Sequence, residues 1–169
     1  MATRRSFLRV LAASCAGASA AEALALDKPA GPVVLTISGR VRSPNDGTVA
    51  HFDMPMLERM PQATFTTKTP WYAHPRKFTG PLLRDVLAAA GASGSTLRAI
   101  ALNDYWIEIP FDDATQHDVI LARLLDDKPM AVRDKGPLSD IYPFDSRPEL
   151  KSPVYYNRSA WQLRTIEVR

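Results

Sequence analysis

Alternating apolar and polar positions break this chain into many short elements. Val33–Gly39 reads VVLTISG, β-branched and closed by glycine, and predicts a strand. Asp53 stands where an N-cap would open a short helix through residues 54–60, with Pro55 in its first turn. Residues 63–67 predict a second strand. Gly80-Pro81 then opens the best helical pattern, residues 82–90. Leu83, Val86, Leu87 and Ala90 share one face there, and Gly91 closes it. Residues 97–102 and 105–109 predict a hairpin around Asn103-Asp104. Residues 119–125 and 130–133 predict a second, around Asp126-Asp127-Lys128-Pro129. Residues 141–144 and 161–168 supply the last strands. Many short strands with two or three small helices make a mixed, β-rich α+β domain.

The first 25 residues follow a different pattern. Thr3-Arg4-Arg5-Ser6-Phe7-Leu8-Arg9 precedes an apolar run from Val10 to Ala21, and Ala23-Leu24-Ala25 offers a small-x-small cleavage site. This is the layout of a twin-arginine signal peptide, which predicts export to the periplasm and a mature chain of residues 26–169. The apolar run is too short to span a bilayer, so no membrane span is expected after cleavage.

That cut changes the charge. The whole chain carries 21 basic and 18 acidic residues, a net of +3. Removing Arg4, Arg5, Arg9 and Glu22 leaves 18 and 17, a net of +1. No basic cluster interleaved with aromatics remains to track a phosphate backbone, which disfavours nucleic acid as a partner. The one cysteine, Cys15, lies in the signal, so the mature domain has no disulfide and no thiolate. His51, His74 and His117 are too far apart in sequence to form a short metal-binding motif, and are expected at the surface or behind a site.

Other local features read as structure. Gly91–Ser95 resembles a phosphate loop but follows a helix, whose C-terminal dipole is wrong for an anion. Asp112-Asp113 and Asp126-Asp127 are adjacent pairs whose side chains diverge, so turn and capping roles are expected. Ser139-Asp140 and Ser159 have no histidine at a suggestive spacing. Trp71, Trp106 and Trp161 are expected in the core or along a cleft wall.

The order of the segments carries a resemblance. Phe65-x-Thr67 and Trp71, then Phe78-Thr79-Gly80-Pro81-Leu82-Leu83-Arg84-Asp85-Val86-Leu87 and Ala90-Gly91, resemble the sulfite-oxidase-type molybdopterin-binding domain. Asn103-Asp104-Tyr105 looks like that family's D-G-Y turn. The likeness continues through Asp118–Ala122, Lys128-Pro129-Met130 and Gly136-Pro137-Leu138 to a closing strand, Trp161–Val168. It covers residues 33 to 169 and implies an oxidoreductase fold with a molybdenum cofactor.

Two departures fall where the chemistry of that family sits. Its members ligate molybdenum through a cysteine thiolate, soft enough to tune a high-valent metal. The matching position here is Thr67, a neutral alcohol. After Gly136-Pro137-Leu138 the family commonly has an arginine; this chain has Ser139-Asp140, and an aspartate there would repel an anion. The resemblance therefore implies a degenerate domain, with no metal ligand, that binds a small anion or pterin as a sensory or accessory module. Trp71, Tyr105, Arg133, Lys135, Gly136 and Arg158 are its candidate binding residues, and Arg147 could join their anion pocket. Two alternatives stay open. One is an atypical molybdenum oxidoreductase with Thr67 nearest the metal; the other is a non-catalytic subunit of an exported complex, bound to a periplasmic protein.

Overall fold

The computed structural model describes residues 26–169, so the segment read as an export signal, with Cys15, lies outside the described residues. The first strand, β1 (Val33–Gly39), and the last, β11 (Leu163–Val168), lie side by side in parallel, with Ile37 opposite Ile166 and Gly39 opposite Val168. β2 (Ala50–Asp53) flanks β1, while β5 (Thr96–Ala101) and β6 (Trp106–Pro110) extend the other side, giving the order β2-β1-β11-β5-β6. Strand alternation decides which face turns inward. Leu35, Ile37, Leu97, Ala99, Ile107, Ile109, Ile166 and Val168 are buried on it. The opposite face is polar: Arg98 stacks over Trp106 at 3.9 Å, and Arg169 bonds Glu167 and Glu108.

A second sheet orders β3 (Gln62–Thr67), β4 (Arg76–Pro81), β8 (Leu124–Leu125) and β9 (Lys128–Pro129). Between the sheets runs a short antiparallel ladder of β7 (Ile120–Ala122) and β10 (Ser139–Ile141), buried at every position. One hydrophobic core joins these layers, with Phe52, Phe78, Tyr142 and Phe144 as its largest buried side chains. Among the described residues, no helix is long and apolar enough to cross a membrane.

The α+β expectation is met, and so are most individual elements. Helix α1 (Met54–Arg59) is capped by Asp53, whose Oδ1 accepts from Met56 N at 2.8 Å. Its Oδ2 accepts from Ala30 N and Gly31 N, and these donors, Gly31 first, hold the carboxyl below the usual range. Helix α2 (Leu83–Ala89) buries Leu83, Val86 and Leu87, and Gly91 follows it at φ +61. The β5–β6 hairpin turns at Asp104, and the β8–β9 hairpin turns at Asp126 and Asp127, all three at positive φ.

Other elements differ from expectation. Gly80-Pro81 ends strand β4 and does not open a helix. A Cβ at Gly80 would sit 1.8 Å from Leu121 O, so glycine is what lets β4 lie against β7. The apolar run 119–125 divides at Arg123 into strands of two different sheets. Residues 132–134 form a 3-10 turn in place of the expected strand, and residues 144–146 form another. Two short helices, α3 (Asp113–Gln116) and α4 (Pro153–Asn157), carry too little periodicity to be seen in the sequence.

Candidate functional site

Strand β3 ends at Thr67, and the β3–β4 connection then carries Trp71 inward. Its indole is held edge-on by Phe144, Tyr156 and Trp161, with ring centroids 6.1, 6.2 and 5.0 Å away. This aromatic corner forms one wall of a cleft of about 380 Å³. The β5–β6 hairpin supplies the opposite wall with Asn103, Tyr105 and Ile107, and α4 and the approach to β11 supply Tyr156, Asn157, Ser159 and Gln162. Tyr105 stands 65% exposed at the rim.

The hairpin keeps its position through its turn. Asn103 Oδ1 accepts from Tyr105 N at 3.1 Å, and Asp104 is ion-paired with Arg164 of β11. Gln162, at φ +52, donates from Nε2 to Val132 O at 2.8 Å. The β11 approach is thereby fastened to the 132–138 segment, which Gln162 N and Leu163 N also reach through Lys135 O and Leu138 O.

Of the candidate binding residues named in the sequence, Trp71 and Tyr105 share this cleft, as do Trp161, expected in the core or along a cleft wall, and Ser159; Thr67 and the basic candidates do not line it. Thr67 is 1% exposed, and its hydroxyl is engaged by Asp145. Oγ1 accepts from Asp145 N at 3.0 Å and donates to Asp145 Oδ2 at 3.3 Å. Asp145 also accepts from Lys68 N and pairs with Lys151, and its carboxyl is held below the usual range, chiefly by Lys151. Arg133 is 89% exposed beside Asp134, and Arg147 is exposed. Lys135 places its ammonium 4.8 Å from both the Tyr72 and Trp161 ring centroids. Gly136 is buried where a Cβ would lie 2.0 Å from Met130 O, so its role is close packing. Arg158 donates to Asp113 Oδ2 at 2.8 Å.

That last contact corrects the reading of Asp113 as a turn residue. Its carboxylate is buried and takes a second hydrogen bond, at 2.7 Å, from the hydroxyl of buried Tyr142. Burial, with that bond to a carboxylate, pushes the Tyr142 phenol upward. His117 is likewise buried, edge-on to Tyr155 at 5.1 Å.

Nor does the repulsion expected of Asp140 arise. It is 1% exposed and accepts from Ala160 N, with its other oxygen unpartnered. Burial pushes its carboxyl up to about 8, so it is mostly uncharged at neutral pH.

These positions do not fit a molybdenum ligand set. Thr67 offers a hydroxyl already spent on Asp145, and among the described residues no cluster of three His, Cys, Asp or Glu is placed to hold a metal. The basic side chains do not converge on the cleft, since none of its lining residues is charged.

No family model matches the chain, and no curated protein does. Among solved structures, the sulfane dehydrogenase SoxCD from Paracoccus pantotrophus is similar at a TM-score of 0.60 and 19% identity. The chain has a distant molybdopterin-oxidoreductase-like fold. The match covers 79% of this chain but only 37% of that one, so the likeness is one of architecture. It supports, at the level of fold alone, the resemblance read from residues 33 to 169.

The cleft residues missed in the sequence fall into two groups. Asn103 and Gln162 stood inside motifs already noticed, but their side chains carried no charge to mark them. Tyr156 and Asn157 ride on α4, for which Pro153 at the first turn was the one available signal.

Proposed function

We propose that this chain is exported by the twin-arginine route and acts in the periplasm as a ligand-binding accessory domain. It keeps an oxidoreductase fold without holding a redox metal through its own side chains. The observation that carries this reading is the contrast between Thr67 and the cleft. The residue at the expected metal-ligand position is sealed and hydrogen-bonded to Asp145, while the aromatic cleft lined by Trp71, four residues on in sequence, is open. Concave, largely apolar sites with a few polar groups are where small ligands bind. A hydroxyl that supports the 144–146 turn is a structural residue, and no step of chemistry need pass through it.

The two roles separate by mutation. Protein purified from the periplasm of a molybdate-fed host is denatured, and the released small molecules are identified by mass spectrometry. The reading predicts a released organic compound from wild type and from Thr67→Val, and its loss from Tyr105→Ala. Release of one molybdenum-bearing pterin per chain, lost in Thr67→Val, would contradict it.

A further inference from the structure

The cleft is also selective in kind, an inference that rests on the binding reading above. Its rings are Trp71, Tyr105, Tyr156 and Trp161, and its polar side chains are Asn103, Asn157, Ser159 and Gln162. With Asn103 Oδ1 held by Tyr105 N and Gln162 Nε2 held by Val132 O, Asn103 Nδ2 and Gln162 Oε1 are left for a ligand. The Asn157 amide makes no hydrogen bond among the described residues. The cleft thus offers uncharged donors and acceptors together, between aromatic walls.

Charge excludes one class of ligand. An anion taken out of water needs a cation or several aligned donors to offset its desolvation. Here Arg158 is committed to Asp113, Arg133 lies beside Asp134 at the surface, and the Lys135 ammonium sits against the Tyr72 and Trp161 rings without lining the cleft. Lys135 disfavours two more classes. It does not line the cleft, yet its ammonium lies over the Trp161 ring and draws on the electron density of that face. An indole polarised this way is a weaker partner for a quaternary ammonium or for the C–H groups of a sugar. It is a better partner for an electron-rich ring. A flat nitrogen heterocycle also presents ring nitrogens and exocyclic groups that suit amides on its edge.

We infer that the cleft between the β5–β6 hairpin and Trp71–Trp161 binds an uncharged, electron-rich planar nitrogen heterocycle. This departs from the anionic cofactor that the family resemblance implies.

Matched probes test it on the full mature protein by quenching of tryptophan fluorescence and by calorimetry. The pairs are adenosine with AMP and guanosine with GMP; choline and glucose represent the excluded classes. At least one uncharged heterocycle should bind saturably, about tenfold tighter than its anionic partner. Asn157→Ala, at an exposed position, should weaken it about tenfold, the scale of one lost hydrogen bond, with an unchanged melting temperature. Lys135→Met should narrow the margin over choline. Tighter binding of the anionic member, of choline or of glucose would overturn the inference, as would no saturation by any heterocycle in the millimolar range. Those outcomes leave the accessory-domain reading standing; that reading falls with the release experiment above, by a molybdenum-bearing pterin from the wild-type chain or by no organic compound released from it.

Discussion

At the scale of single residues, three side chains that suggest chemistry have structural duties. Thr67 ties the end of β3 to the 144–146 turn through Asp145. Thr67→Val should cost about 1–2 kcal/mol, the range for hydrogen bonds lost at a buried site, read from urea unfolding. Arg158 neutralises Asp113, which is more buried than its partner. Arg158→Met should cost more than an exposed pair and approach the loss of a buried one, about 2–3 kcal/mol. Asp113→Asn combined with it should recover part of that loss.

Asp140 gives a pH signature. Burial raises its folded pKa to about 8, against 3.8 for the free side chain. Between those values the folded chain holds a proton that the unfolded chain has released. This contribution to stability is therefore full below about pH 4 and declines as pH rises toward 8. Asp140→Asn keeps an acceptor for Ala160 N and has no such slope. The variant should gain on wild type steadily from pH 5 to pH 8 in parallel thermal melts. A constant difference across that range would show that Asp140 ionises normally. None of these three duties was legible in the sequence, because each depends on a partner at least 20 residues away.

At the scale of elements, local chemistry was a good guide wherever the signal was local. The Asp53 cap, the amphipathic face of α2 and the turns at Asp104 and Asp126-Asp127 need only near neighbours, and all formed as their residues dictate. The misread segments were those whose conformation is set by another layer. Gly80-Pro81 carries a helix-start pattern, yet it finishes a strand because β7 crosses within reach of its Cα. Gly80→Ala should therefore destabilise by about 1–3 kcal/mol, far beyond a propensity effect, since the neighbour is backbone and must move. A melting temperature equal to wild type would refute that close-packing role. The 119–125 run failed for a related reason. A continuous apolar stretch does not reveal that its two halves pair with different sheets.

At the scale of the whole molecule, β1 and β11 close the domain by lying in parallel, joining residues 33–39 to residues 163–168. No sequence period announces such a pairing, and the order of motifs along the chain did not specify it. The site was half legible from that motif order. Trp71 and Tyr105 line the candidate cleft, while the basic residues grouped with them face other partners once the chain is folded. The fold is similar to part of a sulfane dehydrogenase structure, while Thr67 has its hydroxyl engaged by Asp145. Elemental analysis for molybdenum on the mature protein decides whether this chain holds the metal, using material exported by a molybdate-fed host that loads its own molybdoenzymes. The account predicts a content far below one atom per chain; one molybdenum per chain, retained through gel filtration, would contradict it.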